Sequence, residues 1–303
     1  MSKKWLKLTA KIVFTAVVFY FIFTKVKLDI HQLGSYLRHA DGWFYGSIVV
    51  FTFFLMFQGW NWLKILNYPV PVLSTRKGLL IYINSQFAKY IPGGIWNYVG
   101  RIYMVSREGV PMQPQMIAII VENVLLVMAA AVYALILVYL LKLAPFFVIL
   151  LGICALAVIY GFYGPVTRMM ERSVHRFVKR FAGVRLTISR PAFFTFFGYF
   201  LVSHFIMGIA FWMLIFSFDI HNVGLFYAAG TFALAWLIGL FSPLPGGIGI
   251  REGLIIYLLS FHMDHETAAT IAIITRIWNI FSEALFFCIM NASALTRKGW
   301  RRA

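Results

Sequence analysis

The sequence is poor in charge and in cysteine for its length. Of 303 residues only 12% are charged, with 10 Asp and Glu against 27 Lys and Arg. Soluble domains carry about 25% charged residues, so this chain has too little charge to cover a water-facing globule. The same shortage excludes a disordered chain and a coiled coil. The two cysteines both lie inside apolar runs, which excludes a disulfide-rich scaffold.

Sequence motifs that bind metals or carry catalysis are also missing. The chain has no HExxH, no Walker loop, no CxxC and no Gly-x-Ser-x-Gly. His262 and His265 are three residues apart, which is the wrong spacing for the usual helical metal pair. We therefore expect no metal and no cofactor. The net charge of +17 would suggest nucleic acid in a soluble protein, but in a membrane protein it first reports topology, so no nucleic-acid partner is expected.

Apolar residues make up 61% of the chain, and they cluster in runs long enough to cross a bilayer. A spanning helix needs roughly 17–25 mostly apolar residues. Six stretches qualify: 8–24, 43–63, 116–141, 143–163, 192–218 and 267–291. The sequence thus predicts an all-α polytopic membrane protein.

Two further apolar regions, 78–103 and 223–261, are each interrupted by a Pro-Gly-Gly triplet. Proline removes a backbone donor and clashes with the preceding turn, so a continuous helix through either triplet is disfavoured. We expect each region to form a re-entrant pair of half-helices that enters and leaves on one side. In an alternative, each region crosses twice as two short helices. The breaks comprise Pro92, Gly93, Gly94, Pro245, Gly246, Gly247 and the nearby Gly249.

The two triplets predict an internal repeat. Pro92 and Pro245 are 153 residues apart, and the flanking spans keep nearly that offset. We therefore expect two membrane repeats, 1–141 and 142–303, with six full spans and two re-entrant helix pairs in total. In the alternative interpretation, the glycines are kinks and the repeat is accidental.

Basic residues indicate the orientation. Lys and Arg concentrate in the N-terminal segment, in the loop 164–191 and in the C-terminal tail, all of which should be cytoplasmic. Lys25, Lys27, Arg38 and Lys142 are the exceptions that this topology places outside. The first repeat then starts inside and the second outside, so the repeats are inverted. We expect a multi-pass inner-membrane protein whose basic loop contacts anionic phospholipid.

Four basic residues fall inside apolar regions. A charge at membrane depth costs about 3 kcal/mol or more on insertion scales, so it usually faces a cavity or a partner. Half-helices that begin after each break also expose unpaired N–H groups, and the glycines let an incoming group approach them. Both features suit an anion, so we predict that a substrate phosphate binds to Lys89, Arg101, Arg251 and Arg276.

Three carboxylates share these apolar surroundings: Glu122, Glu252 and Glu283. They are predicted either to neutralise the buried arginines or to carry protons during transport. Arg276 and Glu283 are seven residues apart, on one helix face, which suggests a pair. Trp96 and Asn97 directly follow the first break and are candidates for headgroup contact.

Two segments resemble the marker segments of a known family. They run from Gln86 to Trp96, continuing to Arg101, and from Ser242 to Gly253. The second contains Pro-Gly-Gly-x-Gly-x-Arg-Glu-Gly. They are similar to segments of the lysylphosphatidylglycerol synthase transmembrane region family, also called flippase-like. The matched positions are Lys89, Pro92, Gly93, Gly94, Arg101, Pro245, Gly246, Gly247, Gly249, Arg251, Glu252 and Gly253.

The resemblance implies lipid translocation. Fused family members move an aminoacylated phospholipid between leaflets, and others are associated with polyprenyl-phosphate-linked sugars. Because the sequence ends at Ala303 without an acyltransferase-like domain, we expect no aminoacyl transfer and no enzyme activity. The leading hypothesis is a flippase for an anionic-headgroup lipid, with a lipid-modifying enzyme or glycosyltransferase as a candidate partner. Two alternatives remain: a membrane glycosyl- or phosphotransferase that uses a polyprenyl-phosphate donor, and a non-catalytic scaffold of a lipid-modifying complex.

Overall fold

A computed structural model describes residues 40–90, 95–143, 145–165, 167–169, 188–241, 247 and 249–300. In these ranges all regular structure is helical. The principal helices are α1 Gly42–Leu66, α2 Thr75–Gln86, α3 Trp96–Ser106, α4 Met112–Leu140, α5 Phe147–Gly161, α6 Arg190–Phe216, α7 Leu225–Gly239, α8 Ile250–Leu259 and α9 His265–Trp300. A short 3-10 helix, Phe87–Tyr90, continues α2.

Four helices are long and apolar enough to cross a membrane: α1, α4, α6 and the 265–292 part of α9. They coincide with four of the six predicted spans. A fifth, α5, qualifies only together with Tyr163–Met169, from which it is bent by 81°. The predicted span 8–24, most of the basic loop and the chain ends lie outside the described residues, as do Pro92, Gly93, Gly94, Pro245 and Gly246. The count of six spans therefore stays a prediction.

Aspartate side chains begin two of the long helices, α1 and α9. Asp41 accepts a hydrogen bond from the Phe44 N–H at 3.0 Å and so begins α1. Asp264 begins α9 in the same way, accepting from the backbone N–H of Thr267 at 2.9 Å and from its hydroxyl at 2.7 Å. These bonds favour the ionised carboxylate and hold the pKa of Asp264, which lies in the loop before the span, below its ordinary value.

The short helices form two hairpins. Lys77, near the start of α2, pairs with Glu108, just beyond the end of α3, at 2.5 Å. Tyr227, near the start of α7, donates to the carbonyl of Leu258 at the end of α8, at 2.6 Å. In each hairpin the ends far from the Pro-Gly-Gly triplet therefore lie together. In both hairpins the predicted break lies in the chain between the two short helices.

Ring contacts show how the long helices run. Trp43 and Trp212 lie 6.2 Å apart, and Trp60 and Tyr199 lie 5.2 Å apart, so α1 and α6 are antiparallel. Trp278 donates to the Ser47 hydroxyl at 2.9 Å, which places the middle of α9 beside the first half of α1. The core lies between these helices and α7, while in the described part of the chain no residue of α5 is buried.

Glycines let α6 and α7 approach closely. A Cβ atom on Gly208 would lie 2.4 Å from the Cβ of Ala229 and 3.1 Å from its Cα. Real Cβ atoms do not come this close, so a larger residue would push the helices apart. Small residues at helix crossings are typical of membrane proteins, where close packing rather than water exclusion drives association.

Gly208→Ala is therefore expected to destabilise the protein by about 1–3 kcal/mol, because α6 and α7 must separate. Gly198→Ala, on the same helix, is the matched control, since no atom lies within 4 Å of its Cβ position. The apparent melting temperature in neutral detergent measures the difference. Equal melting temperatures for the two variants would show that the crossing is loosely packed.

Candidate functional site

Three ion pairs join the short helices beside the two breaks to the long helices α4 and α9. Arg101 pairs with Glu122, Lys89 with Glu283, and Arg276 with Glu252. All six residues are ones that the sequence singles out. The structure therefore joins predicted cations to predicted carboxylates. The sequence alone does not show which cation pairs with which carboxylate.

The pair Arg101–Glu122 is sealed. The guanidinium Nη1 donates to Glu122 Oε2 at 2.6 Å, and the two side chains are only 2% and 3% exposed. Aromatic rings surround the cation, with centroids 4.3 Å (Tyr82), 4.9 Å (Trp62) and 5.7 Å (Tyr98) from its central carbon. Such rings stabilise a desolvated cation. This arrangement suits a structural ion pair between α3 and α4.

The sequence gives no sign of this aromatic cage. Trp62 and Tyr82 stand 39 and 19 residues before Arg101, on α1 and α2, and only packing brings them together. Among the rings around Arg101, Tyr98 alone is near in sequence, one helical turn before it. Its hydroxyl donates to Asn123 Oδ1 at 2.7 Å, so it also ties α3 to α4.

Lys89 links the first hairpin to α9. It lies in the 3-10 helix Phe87–Tyr90, immediately before the first break, and its amino group pairs with Glu283. The Lys89 side chain is 34% exposed, whereas that of Glu283 is 1% exposed. Phe87 and Phe287 pack beside the pair, with ring centroids 5.4 Å apart. The cation therefore has open access on one side, while its carboxylate partner is enclosed.

Arg276 and Glu252 join α9 to the second hairpin. Arg276 Nε donates to Glu252 Oε1. The other carboxylate oxygen, Oε2, accepts the backbone N–H of Gly249 at 2.7 Å and so caps α8. Gly249 has φ +86°, a conformation that favours glycine. The side chains of Arg276 and Glu252 are 18% and 19% exposed, so this pair is far less enclosed than Arg101–Glu122.

Arg251 contacts an aromatic ring. Its central guanidinium carbon lies 4.4 Å from the ring centroid of Phe232, which is buried in the core on α7. The Cβ of Arg251 lies 3.7 Å from the Cβ position of Gly239, at the end of α7. Arg251 therefore belongs to the inner side of the second hairpin.

The four predicted cations do not form one cluster. Lys89 pairs with Glu283 of α9, and Arg276 lies on α9 seven residues before Glu283, which is about 10 Å along the axis. Arg276 bonds to Glu252 of the second hairpin and Glu283 to Lys89 of the first, and the predicted pairing of Arg276 with Glu283 stays a prediction. The seven-residue spacing puts the two on one face of α9. Consequently α9 presents one charge to each break.

Trp96 and Asn97 begin α3. Trp96 is exposed, with 43% of its surface accessible. Asn97 is half-buried, and its Oδ1 is enclosed without a hydrogen-bond partner among the described residues. The N-cap position of α3, Ile95, makes no side-chain cap, and the first turn carries no acidic residue. Headgroup contact by Trp96 and Asn97 stays a prediction.

In the ranges that the structure describes, no three His, Cys, Asp or Glu side chains lie together as metal ligands would. Buried His204 is placed between Tyr133 and Trp236, with ring centroids 6.1 Å and 6.3 Å away, and its Nδ1 lies 2.9 Å from the Phe200 carbonyl. It therefore packs as part of the helix interface.

Comparison with known proteins places the chain. The family model described as the lysylphosphatidylglycerol synthase TM region matches residues 8–284, which is most of the sequence and includes both breaks and all three ion pairs. No curated protein matches. With several apolar helices, the chain is a multi-pass membrane protein, and it belongs to the lysylphosphatidylglycerol synthase transmembrane region family.

Proposed function

We propose that this protein moves an anionic-headgroup lipid, either a polyprenyl-phosphate-linked sugar or a phospholipid, between the two leaflets of the inner membrane. One observation carries the proposal: a residue that flanks each break, Lys89 at the first and Glu252 at the second, forms an ion pair with α9. Charges at membrane depth are costly and mark substrate pathways. Broken helices that meet near the midplane are typical of transporters.

The hairpins support an inverted repeat. The outer ends of the first hairpin lie with the C-terminal end of α1, since α2 packs antiparallel to α1 through Gly78 and Leu63. The outer ends of the second hairpin lie at the opposite end of the bundle, where Trp212 of α6 donates to the Val223 carbonyl before α7. Each hairpin thus enters from its own side, and rocking of one repeat against the other would give alternating access.

Charge supports an orientation. At the end of the bundle shared by α1, α2, α3 and α6, the described residues include the cations Lys64, Arg76, Lys77, Arg107 and Arg190 and the acid Glu108. The opposite end carries Asp41, Lys142, Asp219, Asp264 and Glu266. By the positive-inside rule, the first end faces the cytoplasm, together with both chain termini.

In the proposed mechanism, the headgroup phosphate binds between the hairpins. Arg276 at the second break and Lys89 at the first, both partly accessible, neutralise it in turn along its path, and Arg251 lines the inner side of the second hairpin. The open N-terminus of α3 adds backbone donors. We assign Arg101 a structural role, because a phosphate would have to displace Glu122 from a sealed cage. The acyl or polyprenyl chains stay in lipid throughout.

Arg276→Gln is expected to slow lipid movement in proteoliposomes on the order of tenfold, because it removes a cation that the phosphate needs. Headgroup accessibility of fluorescent phospholipids and polyprenyl-phosphate sugars, with and without an imposed pH gradient, measures the rate and identifies the substrate class. A gradient dependence would indicate proton coupling, for which Glu252, Glu283 and Glu122 are the candidates.

Arg107→Gln is the matched control, since it also removes one positive charge but from the exposed end of α3, where Arg107 lies over Tyr103. It should move lipid at the wild-type rate. No movement of any lipid by the wild-type protein would overturn the proposal. Product formation from a radiolabelled polyprenyl-phosphate donor would then indicate a transferase, and its absence a scaffold.

A further inference from the structure

Glu252 accepts hydrogen bonds from two donors at once. Its Oε1 accepts from Arg276 Nε on α9, and its Oε2 accepts from the Gly249 N–H at the start of α8. One carboxylate therefore satisfies a guanidinium and a helix N-terminus that belong to different elements. These are the two kinds of donor that proteins use to bind a phosphate.

The surroundings of this carboxylate are open. Glu252 and Arg276 are 19% and 18% exposed, whereas Glu122 and Arg101 are 3% and 2% exposed. Among the described residues no atom lies within 4 Å of the Cβ position of Gly249, beside the N–H that Glu252 caps. An incoming anion can therefore reach the two donors that bind Glu252, Arg276 Nε and the Gly249 N–H.

The equivalent position of the first hairpin is different. The charges there are reversed, since the arginine, Arg101, lies on the short helix and the glutamate, Glu122, on the long one. The short helix α3 has no acidic residue in its first turn, and its N-cap residue, Ile95, makes no side-chain bond. Hence α8 is capped by its own carboxylate and α3 is not.

We propose that the carboxylate of Glu252 occupies the place that the substrate's anionic group takes at Arg276, and that the two exchange in each transport cycle. This inference rests on the proposed function and makes it more specific. While Glu252 bonds to Arg276, the second hairpin is held to α9 and the charge on Arg276 is neutralised without substrate. A headgroup phosphate takes over Arg276 and the Gly249 N–H, which releases α8 from α9. Glu252 then returns to Arg276 and displaces the phosphate, so that the lipid is released.

Glu252→Gln tests the exchange, because glutamine keeps the size and the cap acceptor but removes the competing charge. The probe is dodecyl phosphate, titrated into the purified full-length protein in neutral detergent. Its Kd should fall about tenfold relative to wild type, and lipid movement should become slower because release is impaired. Glu108→Gln is the matched control, since it removes one negative charge at the exposed Lys77 pair and should leave the Kd unchanged.

Two further variants keep the test decisive. Glu252→Asp retains the charge but is one methylene too short to hold both donors, so an intermediate tightening is expected. Arg276→Gln should weaken binding of the same probe. If Arg276→Gln weakens binding but neither Glu252 variant tightens it, the exchange is wrong and the phosphate site stands. If Arg276→Gln leaves the Kd unchanged, the proposed function itself fails at this site.

Discussion

Glu122→Ala is expected to destabilise the protein by about 3–5 kcal/mol, which corresponds to a drop of roughly 10 °C in the apparent melting temperature. The substitution leaves the Arg101 guanidinium buried among Trp62, Tyr82 and Tyr98 without a counter-charge. Removal of one partner of a buried pair is far more costly than removal of both. Melting in neutral detergent measures the effect.

Two controls separate charge loss from other effects. Glu108→Ala breaks the more exposed pair with Lys77 and should cost no more than about 1 kcal/mol. The double variant Arg101→Met/Glu122→Leu replaces both charges by apolar groups and should recover most of the lost stability. If the double variant melts at as low a temperature as Glu122→Ala, the unpaired charge on Arg101 is not the cause of the lost stability.

Lys89→Met/Glu283→Leu is expected to keep near-wild-type stability but to reduce lipid movement on the order of a hundredfold. Apolar residues of similar size can replace a buried ion pair, so the fold survives. The variant nevertheless removes the accessible cation at the first break and the ionic tie between that break and α9. The proteoliposome assay measures lipid movement, and melting in detergent measures stability.

The single variant Glu283→Leu provides the comparison. It leaves Lys89 without its carboxylate, so it should lower stability more than the double variant does. Wild-type lipid movement in a stable double variant would exclude Lys89 from the transport pathway. The Arg276 site at the second break would then have to bind the headgroup without it.

Local features of the sequence predict much of the architecture. The predicted spans at 43–63, 116–141, 192–218 and 267–291 fall on α1, α4, α6 and α9. Hydropathy sums along the chain, so a long apolar run reports a spanning helix whatever its neighbours are. Both Pro-Gly-Gly triplets also fall between two short helices, because proline and glycine act on their own backbone.

The sequence is less informative where helix ends matter. The region 143–163 was expected to be a full span, but α5 has only 15 residues and is followed by a bend of 81°. Apolar composition continues across Phe162, so hydropathy alone does not show the bend. The apolar segment is therefore helical, but its straight part is shorter than the predicted span.

By itself, the sequence determined that the chain is a helical membrane protein, that it has two broken helices and that seven charged residues lie in apolar surroundings. Only the tertiary structure decided the partners: Arg101 with Glu122 in an aromatic cage, Lys89 with Glu283, and Glu252 with Arg276. The physical reason is that an ion pair needs contact, and the sequence does not show which residues of different helices are in contact. Helix packing supplies nearer partners from elsewhere in the chain, and it alone determines which carboxylate is sealed and which is accessible.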